Sequence, residues 1–250
     1  MVEAPGSVIA RRIAVLIDGD NAQPSLLEQM LAEASKYGQV TIRRIYGDWT
    51  MPDMSAWKDT LHLYAIHPIQ QFRNTIRKNA TDSALIIDAM DILYDGIVNA
   101  FCLVSSDSDF TRLATRIREK GLFVMGMGKQ TTPRAFVKAC EVFVYTENLV
   151  PEAATPRAAE RVEDVSSARL ITPDPLPLLK RAFDMAVQED GWASLGAVGT
   201  HLRQLDPGFD PRTYGCKQLW LLIRKYPGAF EVDARKTRGG PSLVYVKLKE

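Results

Sequence analysis

Five aspartates at three places along the chain have the type and spacing for metal-assisted chemistry. They are Asp18 and Asp20 in IDGDN, Asp82 in KNATDS, and Asp107 and Asp109 in VSSDSDF. Carboxylates brought within about 4–6 Å of one another raise each other's pKa and destabilise a fold unless something compensates. An all-oxygen, anionic donor set suits a hard divalent ion, Mg²⁺ or Mn²⁺. Such an ion polarises a phosphate, activates a water and shields the charge growing on a leaving oxygen, so phosphoryl chemistry is the expected reaction class. Taken singly, an Asp after a strand is most often a turn former or a helix N-cap, and Asp109 can be read as the cap of its own helix. The functional reading depends on whether the distant acids meet.

The elements that must bring them together follow from hydrophobic periodicity. IAVLI (13–17) is a continuous apolar run, as expected for a parallel strand buried on both faces. Apolar residues at helical spacing over 25–37 end at Gly38, and 40–46 is rich in β-branched residues. A helix around 54–64, an extended piece near 66–72, a helix over 81–94 ended by Gly96, and a strand over 100–104 follow. A helix over 109–120 ended by Gly121, a strand over 122–125, a helix over 132–139 and a strand over 142–145 complete the series. This βαβα rhythm predicts a parallel sheet covered by helices on both sides. In such a sheet ligands bind outside the carboxyl ends of the strands. Asp18 and Asp20 follow the first strand, Asp107 and Asp109 follow the strand at 100–104, and helix N-termini such as that at Asp82 face the same edge. Asp88, Asp91 and Asp95 lie further along that helix and read mostly as solvated face residues.

Phosphate-friendly groups surround the acids. Asn21 follows Asp20, Ser105 and Ser106 precede Asp107, and Arg73, Arg77 and Lys78 precede Asp82. The net charge of +1 announces no polyanion partner, so metal ions and local basic patches would have to supply the anion binding. Three cysteines without a CxxC pair and three scattered histidines argue against a disulfide framework or a zinc site. The first residues lack the apolar core of a signal peptide, and no stretch approaches the roughly 20 apolar residues that cross a bilayer. A cytoplasmic protein with no membrane association is expected.

The rhythm stops near residue 150. Residues 150–173, rich in Ala, Pro, Ser and charge, read as a linker between a domain at 8–149 and another at 174–250. The second domain shows amphipathic helices over 178–187, 195–205 and 214–225, with Trp220, Leu221 and Ile223 expected in the core. Strand patterns over 229–232 and 243–247 flank the tip ARKTRGGPS. Three helices and a hairpin in so short a span resemble a winged helix. Lys217 beside the third helix and Arg235, Lys236 and Arg238 at the hairpin tip offer a surface for RNA phosphates, or simply a solvated hairpin.

IDGDN, KNATDSALIIDAMDIL and VSSDSDF, in this order, resemble the NYN domain, a family that includes LabA-like proteins within the PIN-like nuclease superfamily; the likeness covers about residues 10–148. It implies a three-layer α/β/α sandwich with a central parallel sheet and metal-dependent cleavage of RNA. Carried over by motif, Asp18, Asp82, Asp107 and Asp109 would be the catalytic, metal-binding acids. Asn21 would orient substrate or a metal-bound water, and Lys78 would be the basic residue before the second acid. Thr81 departs from the apolar or small residue expected before Asp82. FDPRTYGCKQLWLLI resembles the OST-HTH or LOTUS domain, a winged helix implicated in RNA binding or in docking a protein partner. A homodimer is compatible with the likeness, though nothing in the sequence marks an interface.

The leading expectation is therefore a metal-dependent endoribonuclease with a tethered RNA-binding module, tethering raising the local substrate concentration. Its alternative is a non-catalytic RNA-binding adaptor on the same fold. IDGDN also offers the Asp-x-Asp of haloacid dehalogenase-type phosphatases, but Ala22 stands where that family wants Thr or Val.

Overall fold

A computed structural model describes residues 11–72, 80–150, 173–235 and 243–249. Its contacts divide the chain into two units, Met1–Val150 and Pro151–Glu250.

In the first unit six strands form one sheet: β1 (Arg12–Asp18), β2 (Gln39–Gly47), β3 (His67–Gln70), β4 (Ala100–Val104), β5 (Phe123–Gly128) and β6 (Val142–Tyr145). Their order is β3-β2-β1-β4-β5-β6, and every neighbouring pair is parallel. The chain winds outward from β1 to β3, then returns to the other side of β1. The winding direction therefore reverses between β1 and β4, and the connections leave a crevice beyond the carboxyl ends of those two strands.

Alternation along each strand builds two cores. Ile13, Val15 and Ile17 of β1 and Cys102 and Val104 of β4 face one side, packed with Leu27, Met30 and Ala34 of helix α1 (Leu27–Ser35) and Leu61 of α2 (Lys58–Leu63). Ala14, Leu16, Phe101 and Leu103 face the other side, against Leu85, Ala89 and Ile92 of α3 (Ala80–Asp95), Leu113 and Ile117 of α4 (Thr111–Glu119) and Phe136 of α5 (Arg134–Ala139). This is the expected three-layer sandwich, and β1 and β4 read as unbroken apolar runs because both their faces are covered. Several helices begin in 3-10 turns, at Pro24–Leu26, Pro52–Trp57 and Ser108–Phe110, so their α portions are shorter than their apolar periodicity implies.

The second unit has α6 (Leu176–Ala186), β7 (Ala193–Ser194), α7 (Leu195–Leu205), α8 (Leu219–Arg224), β8 (Phe230–Arg235) and β9 (Leu243–Leu248). Its strands pair antiparallel in the order β7-β9-β8. Leu179, Phe183, Val198, Leu202, Leu222, Ile223 and Val246 form its core. The third helix starts later than expected. Residues Pro211–Tyr214 make a separate 3-10 turn, capped by Asp210, and Gly215 leaves it in the left-handed region at φ 69°. Only then can α8 begin, with Leu222 and Ile223 inward. This corrects the placement of Trp220: it is half-buried, outside the core, with its indole N–H donated to Gln218 and the Arg224 guanidinium 5.4 Å from its ring. Among the described residues no helix is long and apolar enough to cross a membrane.

Close approach explains one strand glycine. A Cβ on Gly128 would lie 2.5 Å from the Ser105 carbonyl oxygen and 2.7 Å from Thr132 Oγ1. Gly128→Ala is therefore expected to destabilise the first unit by about 1–3 kcal/mol, as overpacking does. Gly199, mid-helix in α7, meets nothing nearer than Leu219 at 3.5 Å. Gly199→Ala should stabilise the second unit by roughly 0.5–1 kcal/mol. Denaturant unfolding of both variants, followed by probes in each unit, tests the contrast.

Candidate metal centre

β1 ends on Asp18, which pairs with Tyr46 of β2 and lies one residue beyond the last pair with β4, Ile17 with Val104. Ser105 follows β4 at the same level, and its hydroxyl donates to Asp18 Oδ2 at 2.8 Å. Asn21 Nδ2 donates to the same oxygen at 2.6 Å, while the Asp20 amide donates to Oδ1 at 3.1 Å. Asp18 is 1% exposed. Burial pushes its pKa up, the hydrogen bonds from Asn21 and Ser105 pull it down, and the Asp20 charge adds to the rise. Gly19 can sit between the two acids because it has no side chain. Its amide donates to the Tyr46 carbonyl at 2.9 Å, and a Cβ there would lie 2.7 Å from that oxygen.

Ser105 also accepts from the Asp107 amide at 3.1 Å, so one buried hydroxyl ties the loop after β4 to the acid that ends β1. Asp107 in turn caps the 3-10 turn at the head of α4, its Oδ1 accepting from the Asp109 amide at 2.9 Å. Capping and clustering are thus compatible: the turn that Asp107 caps aims Asp109 toward its neighbours.

Asp82 arrives from the first turn of α3. Among the described residues, Asp82, Asp107 and Asp109 form a group able to hold a metal ion, with one carboxylate oxygen from each lying within 4.8 Å of the others. The pKa of Asp82 rises from an ordinary 3.8 to about 6, first through burial and then through the charges of Asp18, Asp107, Asp109 and Asp20. Asp82 is therefore within electrostatic reach of the other four acids, although Asp18 lies outside the tight group of three. The donor set is carboxylate throughout, which fits a hard divalent cation and does not fit a thiolate- or imidazole-seeking one.

Asp88 is not the solvated residue its place on the helix predicts. Its carboxylate accepts from Arg44 at 2.5 Å and from the hydroxyl of Tyr46, a fully buried side chain. Desolvation and Asp88 together push the Tyr46 pKa up. This contact fastens α3 to β2 and so holds the helix that carries Asp82. Thr81, beside it, is buried.

The remaining expected site residues are distributed unevenly. Asn21 and Ser105 adjoin the acids, as above. Ser106 accepts from the Lys129 amide at 2.9 Å and so joins the loop after β4 to the end of β5. Lys129, an exposed cation at this same edge, was not singled out in the sequence because one Lys after a strand carries no pattern. Arg112 was missed for the same reason; it stands in the first turn of α4, three residues past Asp109. Arg73, Arg77, Lys78, Lys236 and Arg238 lie outside the described residues, as does most of the 150–173 segment. In the second unit Lys217 is exposed just before α8, and Arg235 ends β8.

No curated protein matches the chain. Among solved structures, a Vibrio parahaemolyticus protein of unknown function is similar at 23% identity, with a TM-score of 0.47, over 56% of this chain and 95% of that one. The solution structure of an uncharacterised Nitrosomonas europaea protein is similar at 25% identity, with a TM-score of 0.29, over 40% of this chain and 92% of that one. The family models are more informative: that of the OST-HTH/LOTUS domain matches residues 169–241, and that of the NYN domain matches residues 12–147, more than half of the sequence. The chain thus belongs to the NYN-domain family, with an OST-HTH/LOTUS domain behind its NYN domain.

Proposed function

We propose that the chain is a metal-dependent ribonuclease whose NYN domain hydrolyses RNA phosphodiester bonds and whose OST-HTH/LOTUS domain binds RNA. The observation that carries this reading is the meeting of Asp82, Asp107 and Asp109 at the crevice between β1 and β4, inside the NYN match. A Mg²⁺ or Mn²⁺ ion bound there would supply Lewis-acid polarisation of a phosphate and a water of lowered pKa.

The roles of the chain's own groups follow from their positions. Asp82, Asp107 and Asp109 hold the ion, and Asp18 completes the set with the lone pairs its hydrogen bonds leave free. Ser105 and Asn21 fix the rotamer of Asp18, and Asn21 orients what binds beside it. Ser106 and Lys129 shape the rim beyond β5. In the second domain, Lys217, Arg235, Lys236 and Arg238 are the groups offered to RNA phosphates, a contribution that weakens with salt. Arg73, Arg77 and Lys78 are proposed to do the same ahead of Asp82.

Cleavage of labelled RNA by the full chain with Mn²⁺ or Mg²⁺ tests the reading. Asp107→Asn should lower the rate by at least about a hundredfold, as loss of a group that organises transition-state charge does, without unfolding the protein. Equal cutting by both proteins would refute it.

A second expectation concerns stability. Asp82 holds its proton up to about pH 6 in the folded chain, against an ordinary value of 3.8. The folded state binds more protons than the unfolded state between those values, so this group's contribution is most favourable below pH 4 and is lost as pH rises through 6. Its place in the first turn of α3 returns only about 0.3–1 kcal/mol through the helix dipole. In EDTA at pH 7.5, Asp82→Asn should raise Tm by roughly 2–4 °C, and the gain should vanish below pH 4. Mn²⁺ should reverse the ranking by stabilising the unsubstituted chain more. A variant less stable than the parent in EDTA would contradict the repulsion.

A further inference from the structure

The acid cluster lies at the head of a groove between α3 and α4 that the proposed reaction has not used. The groove encloses about 490 Å³ and is lined by Ile86, Met90 and Leu113 together with Arg112, Arg116 and Glu119. Its position follows from helix geometry. Asp82, Ile86, Met90 and Tyr94 succeed one another at four-residue steps along one side of α3. Asp109, Arg112, Arg116 and Lys120 descend in the same way through the turn and α4. At 1.5 Å per residue the line from Asp82 to Tyr94 is about 18 Å long.

Chemistry changes along that line. At the head it is anionic; beyond it, an apolar floor runs beside the cationic side chains of α4. Arg112, Arg116 and Lys120 are exposed. Glu119, the one acid lining the groove among the described residues, lies 3.6 Å from Arg116 in a solvated pair that neutralises little. Tyr94 is 63% exposed, with Arg116 hydrogen-bonded to its hydroxyl at 3.5 Å and Lys120 Nζ 5.4 Å from its ring centre. An exposed aromatic face beside cations, continuous with an apolar floor, is the pairing that holds unstacked bases and their phosphates together.

We infer that the α3–α4 groove is the track along which unpaired RNA runs from the metal centre, its bases on Ile86, Met90 and Tyr94 and its phosphates toward Arg112, Arg116 and Lys120. This rests on the ribonuclease reading and narrows it to single-stranded substrate, because paired bases have no free face or edge to lay on an apolar floor. An acidic protein segment would also satisfy the cations. Continuity with a centre built for phosphoryl chemistry favours the nucleic acid.

The test needs no cleavage. A thiouridine-substituted single-stranded RNA is irradiated with the full chain in EDTA, and crosslinked peptides are mapped. Crosslinks are expected within 86–94 and 112–120, reduced about fivefold or more in Arg112→Ala/Arg116→Ala through the loss of two phosphate contacts. A duplex of the same sequence should give few of them. Both arginines are exposed, and an unchanged melting curve checks the fold of the variant. Crosslinks confined to the second domain, absent from the groove, or as abundant with duplex would overturn the track, and an acidic protein partner would produce the second of these results. Cleavage with Mn²⁺, measured separately, keeps the two ideas apart. Cutting without groove crosslinks overturns the track alone, whereas groove crosslinks without cutting uphold the track and overturn the nuclease.

Discussion

Mutual repulsion among carboxylates at the reversal point of the sheet is the constraint around which the first domain is built. Strand order sends β2 and β4 to opposite sides of β1, and the chain leaving β1 and the chain leaving β4 diverge above a crevice. Each of the two loops brings acids to it, and α3 adds one more from its first turn. Nothing in folding alone rewards this. Partial burial, and after it the charges of four carboxylates, hold the Asp82 proton until about pH 6.

The surrounding structure shows how such a cluster is held in place. Ser105 bridges the two loops, donating to Asp18 and accepting from the Asp107 amide. Asp88 fastens α3 to β2 through Arg44 and Tyr46. Gly19 and Gly128 let the backbones at the strand ends come close enough for these bonds to form. Neutral hydrogen bonds at the acids and the remote Arg44–Asp88 ion pair therefore hold the cluster's elements in place.

Much of this was legible in the sequence, for identifiable reasons. Buried parallel strands such as 13–17 and 100–104 read as apolar runs with acids directly behind them, which located both the sheet and its functional edge. The strand order explains why those two runs are neighbours, and no local pattern could reveal it. The groove between α3 and α4 was illegible because Ile86 and Met90 look like core residues until α4 is seen beside them. Asp88 looked solvated because its partners, Arg44 and Tyr46, are some forty residues away. Trp220 looked buried because Gly215 breaks the expected third helix and turns that ring outward. Local periodicity gives each element its faces; only tertiary contact decides which neighbour covers them.

The most direct measurement is an anomalous difference map from a crystal of the full chain soaked in Mn²⁺. The account predicts a peak bounded by carboxylate oxygens of Asp82, Asp107 and Asp109, with Asp18 beneath it. The absence of a peak at millimolar Mn²⁺, or a peak away from the crevice between β1 and β4, would contradict it.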